Sequence, residues 1–244
     1  FALDADIDNA NTAGDDRLDV ADGITLASAT SLTLDATTGG ITFAGAGTLN
    51  ANNGVTINNA VTATAGTLTI DADVDNNGTG SFTNAAAGTV NAAGQTLNIT
   101  AADVVIGAAM NATTVNITDS DGGGIGLGAT AVGGFQLSGA ELQLITSTGT
   151  TELATAGGIT VDQITAANSN NINNLTLDSA GTIAFSNNAS TFNVLAVEAD
   201  GGIDVNVNVT TDVGALTLDA DIDNGDTAGD DRLDVANNVT LTAA

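Results

Sequence analysis

The sequence predicts an all-β protein, a right-handed parallel β-helix (β-solenoid) with roughly 18–22 residues per rung. Three observations carry that expectation: a recurring strand tag, apolar-polar alternation within strands, and dense punctuation by glycine and asparagine. The tags are apolar-polar-apolar triplets that often end in Asp. LTLD begins at Leu32, LTID at Leu68, and LTLD again at Leu175 and Leu216. LNIT at Leu97, VNIT at Val115, FQLS at Phe135 and FNVL at Phe192 fill the gaps, and longer intervals between tags are expected to hold insertions.

Alternation is clearest over 203–209, where Ile203, Val205, Val207 and Val209 share one face and Asp204, Asn206 and Asn208 the other, predicting one strand with a dry side. Gly39-Gly40, Gly133-Gly134, Gly157-Gly158, Gly201-Gly202 and the Asn-Gly steps at Asn53 and Asn77 separate such strands, because these residues tolerate positive φ. A string of β-sandwiches would need aromatic anchors in each core. Ala, Val, Ile and Leu dominate instead, which suits like residues stacked rung on rung. The run Gly122-Gly-Gly-Ile-Gly-Leu-Gly-Ala129 matches GxGxxA formally, but no helix follows it, so it is read as a loop or corner rather than a phosphate cradle.

A longer period encloses the short one. Residues 1–29 and 216–244 are identical at 20 positions, including the unbroken TAGDDRLDVA at Thr12–Ala21 and Thr227–Ala236. The expected organisation is one full unit over residues 1–215 of a continuous solenoid and the start of the next over 216–244, with no separate globular domain. At ~4.8 Å between strands, ten to twelve rungs would make a unit roughly 50–60 Å long.

Composition narrows the function. There are 29 acidic residues, two arginines and no Lys, His, Cys, Trp, Tyr or Pro. General acid–base work would fall to carboxylates alone and the usual activated nucleophiles lack a partner base, so no enzyme is expected. A carboxylate-only carbohydrate enzyme is the remote alternative. A formal charge of −27 repels phosphate backbones, which excludes nucleic acid as a partner. No apolar run reaches the length of a membrane span, so no membrane insertion is expected in this segment.

The tags LTLDA from Leu32, GITFAG from Gly40 and GTLTIDADV from Gly66 resemble the repeats of filamentous-haemagglutinin-like and autotransporter-type bacterial surface adhesins. The resemblance implies a secreted β-helix at the cell surface, serving as a fibre or stalk segment of a giant tandem-repeat protein. The expected partner is self, head to tail or through neighbouring units, and a surface or polysaccharide ligand is not specified by any motif.

Two constellations are candidate sites. D-A-D-[IV]-D-N occurs at Asp4, Asp71 and Asp219. It superficially matches the start of a calcium loop, yet it lacks the glycine at position six and the flanking helices, which excludes an EF-hand. No cofactor is required. Calcium is the one candidate, held between rungs or at the 9–16 loop by Asp4, Asp6, Asp8 and Asp15 in one copy and Asp219, Asp221, Asp223 and Asp230 in the other; the alternative is a solvated acidic face and, for the whole chain, a calcium-dependent adhesive or surface-layer module. The two arginines, Arg17 and Arg232, occupy one repeat position beside Asp16 and Asp231. Each either pairs locally, with Asp15, Asp16 or Asp19 in the first copy, or meets a neighbouring coil or chain and sets its register.

Overall fold

A computed structural model describes residues 1–5, 16–36, 38–129, 134–225 and 231–244. The chain divides into two compact units, Phe1–Asn116 with Leu144–Thr146, and Ile117–Gln143 with Ser147–Ala244. Every strand pairing given below is parallel, and strands stack in parallel sheets as in a β-helix. Parallel strands buried on their inner face demand an apolar residue at every second position, which the tags supply.

In the first unit each rung contributes three short strands. The first rung is β1 (Ala2–Asp4), β2 (Leu18–Val20) and β3 (Ile24–Ser28); the second is β4 (Leu32–Asp35), β5 (Ile41–Phe43) and β6 (Gly47–Ala51); the third is β7 (Val55–Ile57), β8 (Val61–Ala63) and β9 (Thr67–Asp71). β10 (Ser81–Asn84) and the long β11 (Val90–Ala101) make the fourth, followed by β12 (Asp103–Ile106) and the start of β13 (Met110–Asp119). Register converts the tags into columns. Leu32 lies opposite Val55, Val55 opposite Phe82 and Phe82 opposite Val104. Leu18, Ile41, Val61 and Val90 stack on the second face, and Leu26, Leu49, Ile70 and Ile99 on the third. Side-chain sizes interlock: a Cβ on Gly47 would strike the Phe43 ring, so the missing side chain at 47 is the space the ring fills.

The second unit repeats the plan. β14 (Ile125–Gly128) pairs with β15 (Phe135–Leu137) on one edge; a short helix α1 (Gly139–Leu142) and β16 (Ile145–Thr155) follow, then β17 (Ile159–Asp162), helix α2 (Ala166–Ser169) and β18 (Ile172–Ser179). Two regular rungs come next, β19 (Ile183–Phe185), β20 (Ser190–Phe192) and β21 (Leu195–Ala199), then β22 (Ile203–Val205), β23 (Val209–Thr211) and β24 (Leu216–Asp219). β25 (Leu233–Val235) and β26 (Leu241–Thr242) complete the last. Ile125, Ile159, Ile183, Ile203 and Leu233 form one continuous column, and Leu127, Val161, Phe185, Val205 and Val235 the next. The step from Leu175 to Leu195 is 20 residues and from Leu195 to Leu216 is 21, inside the expected rung. Steps lengthen where loops are inserted, to 27 from Val55 to Phe82 and 31 from Leu3 to Leu34.

Two local expectations change. The 203–209 run is two strands rather than one, because the rung turns a corner over 206–208, where Asn206 N–H donates to the Phe185 carbonyl at 2.9 Å. The glycine-rich run is a loop only over 122–124: Ile125–Gly128 is a fully buried strand whose Ile125 and Leu127 enter the core columns. Gln136 Nε2 donates to the carbonyls of Gly126 and Gly128 at 3.2 and 3.3 Å, and a Cβ on Gly128 would strike the Asp162 carbonyl of the next strand. Two short helical turns, not expected from the sequence, are each closed by a residue pair three apart, Ser138 with Glu141 and Thr165 with Asn168.

Candidate functional site

The feature that recurs at the 215-residue interval is the acidic rung, so its parts are the candidate site. Of the expected calcium ligands, Asp6, Asp8, Asp15 and Asp230 lie outside the described residues. Asp4 ends β1, exposed, with Asp35 as its in-register neighbour. Asp219 ends β24, Asp221 is half-buried and Asp223 exposed. Asp221 N–H donates to Asp219 Oδ1 at 3.3 Å and Gly225 N–H to Asp223 Oδ1 at 2.7 Å, which is turn chemistry. Loss of hydration first, then the carboxylates of Asp231, Asp223 and Asp219, push the Asp221 carboxyl above its ordinary range. The structure therefore gathers three of the expected calcium ligands, Asp219, Asp221 and Asp223, with Asp231 into one negative field. Among the described residues, no group of three or more Asp or Glu side chains is disposed to hold a metal ion.

The third copy of the motif shows what its carboxylates do. Asp73 is fully buried; its Oδ1 accepts the Asn77 N–H at 3.2 Å and its Oδ2 the Gly78 N–H at 3.1 Å, while Asp71 Oδ1 accepts the Asp73 N–H. Asn76, at φ 49°, and Gly78, at φ 77°, let the chain wrap around that carboxylate. Two further acids do the same work. Asp119 accepts the Gly124 N–H at 3.0 Å and the Thr155 hydroxyl at 2.7 Å, and burial, together with Asp121, raises its pKa. Asp162 takes Asn187 Nδ2 and both the N–H and Nδ2 of Asn188 at 3.0 to 3.1 Å.

Each arginine, one residue before its strand, pairs with the Asp at that strand's centre. Arg17 Nε lies 2.7 Å from Asp19 Oδ2 and Arg232 Nε 2.6 Å from Asp234 Oδ2, with all four side chains about half exposed. The partner is thus Asp19, two residues on, where strand alternation returns a side chain to the same face. Asp16 serves through its backbone: its carbonyl accepts the Gly39 N–H of the next rung at 2.8 Å.

One arrangement was missed. Asp178, Glu198 and Asp219 stand in register on β18, β21 and β24, a column of carboxylates one strand spacing apart, with Glu152 beside it on β16. Burial, then Asp178 and Glu198, raise the Glu152 pKa, and burial, then Asp200, raise that of Asp178. Part of the signal was present in the Asp that closes the LTLD tags at Leu175 and Leu216; those tags lie two rungs apart, and Glu198 of the intervening LAVE strand joins their acids into a column.

Comparison with protein-family models, curated proteins and solved structures returned no match.

Proposed function

We propose that the chain is a structural segment of an extracellular fibre or stalk, one unit of a tandem-repeat surface protein, and that it is not an enzyme. A single observation carries this reading: residues 1–29 and 216–244, identical at 20 of 29 positions, place their described strands in equivalent rungs. β1 corresponds to β24, β2 to β25 and β3 to β26 at the constant offset of 215 residues, each set in parallel register with its neighbour. A repeat that re-enters the same rung can be continued without a linker, which is what a fibre requires. Acidity supports it too: 29 carboxylates against two arginines discourage lateral clumping of a long polymer. The buried acids brace turns rather than face a cleft, in keeping with a scaffold.

The test is a series of chains carrying one, two and three 215-residue units, imaged by electron microscopy. Particle length growing by a constant increment per unit is the expected result. Particles that do not lengthen with unit number, or polysaccharide cleavage abolished by an Asp substitution, would overturn the reading.

A further inference from the structure

The two equivalent rungs are covered from opposite sides: β4, β5 and β6 lie over the first, while the last packs on β21, β22 and β23 and, among the described residues, shows its far edge. Asp16-Arg-Leu-Asp-Val-Ala21 and Asp231-Arg-Leu-Asp-Val-Ala236 are the same hexapeptide, with β2 and β25 at the same place in it. Val20 is 5 % exposed, whereas Val235 is 44 % exposed; Leu233 and Leu241 stand 42 % and 37 % exposed. No described strand pairs with the far edges of β24, β25 and β26. What covers the first copy therefore identifies what fits the second.

That cover is specific. β4, β5 and β6 lie on the first rung with Leu34 opposite Leu3, Ile41 opposite Leu18, Phe43 opposite Val20 and Leu49 opposite Leu26. The backbone seam between the rungs includes Leu18 N–H to Gly40 O at 3.1 Å, Gly39 N–H to Asp16 O at 2.8 Å, Ala44 N–H to Val20 O at 3.0 Å and Gly23 N–H to Ala46 O at 2.8 Å. Asp22 Oδ1 also accepts the Ala46 N–H at 2.9 Å. Two glycines make the fit exclusive: a Cβ on Gly39 would strike the Asp16 carbonyl and one on Gly45 the Asp22 carboxylate. The last rung keeps the same features. Asn238 at φ 64° takes the left-handed place of Gly23 at φ 75°, and Asn237 supplies a side-chain carbonyl where Asp22 has its carboxylate.

We propose that the bare edge of β24, β25 and β26 is a docking site for β4, β5 and β6 of a second copy, following in the same chain. Leu218 meets Leu34 of that copy, Leu233 meets Ile41, Val235 meets Phe43 and Leu241 meets Leu49, with Gly39 and Gly45 seated on Asp231 and Asn237. The inference rests on the tandem-unit reading above and adds its partner and register. It also states how a strand edge that would otherwise template indiscriminate pairing is satisfied.

The test is a chain in which Ala244 is followed directly by residues 30–244 of a second copy. In the single chain Leu233 N–H faces the bare edge; in the two-copy chain its hydrogen exchange slows by on the order of 100-fold or more. Gly39→Val in the second copy alone returns it to the fast rate. The chain has no native cysteine, so Asp234→Cys in the first copy with Thr42→Cys in the second reports register without background. In-register positions fall within the roughly 4.4–6.8 Å that a disulfide spans, so this pair links and the pair shifted by two residues, Asp234→Cys with Ala44→Cys, does not. Leu233 exchanging as fast as in the single chain, or the shifted pair linking equally, overturns the inference. An array that lengthens with unit number while Leu233 stays unprotected rejects this docking and leaves the fibre reading standing; an array that does not lengthen rejects the fibre reading itself.

Discussion

Buried carboxylates carry the largest single-residue stakes in this chain. Asp73 satisfies two backbone N–H groups inside a nine-residue insertion between β9 and β10, and nothing but its carboxylate reaches both. Removing it leaves two part-buried N–H donors and a buried site without an acceptor, which costs more than the bonds themselves were worth. Asp73→Ala is expected to lower stability by about 2–4 kcal/mol in urea unfolding, and Asp73→Asn, which keeps one acceptor oxygen, by about half as much. A fall below about 1 kcal/mol for the alanine variant would mean water replaces the carboxylate. The same residue type marks the limit of what the sequence discloses. D-A-D-[IV]-D-N is legible as an acidic loop, but whether its second Asp turns out toward an ion or in toward the backbone depends on the left-handed residues at 76 and 78, which composition alone does not locate.

Strands and rungs were far more legible, and for a physical reason. A parallel strand with one buried face must place an apolar residue at every second position, so LTLD, LTID and LNIT announce themselves. Corners do not, since alternation runs through 206–208 unbroken while the backbone turns there. Neither do strands built from glycine, because Ile125–Gly128 lacks the β-branched outer residues that strands usually show. The acidic column was legible only once register was known. Asp178, Glu198 and Asp219 stand directly opposite one another, and like charges so placed destabilise a sheet by roughly 0.2–1 kcal/mol per pair. Asp178→Asn is accordingly expected to raise the melting temperature at pH 7, by an amount that shrinks in 0.5 M salt. The pH dependence has a definite sign. Asp71, Asp119, Glu152 and Asp178 all have raised pKa values in the folded chain, with burial the first cause in each. The penalty for holding them ionised is fully present above their folded values. It is relieved as pH falls through those values toward the unfolded ones, about 3.9 for Asp and 4.3 for Glu. Thermal unfolding followed by circular dichroism should therefore show a higher melting temperature near pH 5 than at pH 8, and Asp178→Asn should flatten that rise.

Across the whole molecule, stability is distributed by neighbours, since each rung is held by the rung before and the rung after. Position in the stack then matters more than residue type, and two variants of the second unit separate the effects. Phe185 is fully buried in β19, flanked in register by Val161 and Val205, and Phe185→Ala should cost about 3–5 kcal/mol. Val235 has Val205 on one side only, and Val235→Ala should cost less than about 1 kcal/mol in the single chain. Its repeat partner Val20 has Phe43 over it, and Val20→Ala should cost more, about 1–2.5 kcal/mol, although the local sequences are identical. If a following copy completes the last rung, Val235→Ala in a two-copy chain costs at least as much as Val20→Ala, because Val235 then lies between Val205 and the Phe43 ring, where Val20 has Phe43 alone. Urea unfolding of the four proteins decides the matter. A Val235→Ala penalty that does not grow when the second copy is added would mean that the units unfold as independent beads, whatever their sequence identity.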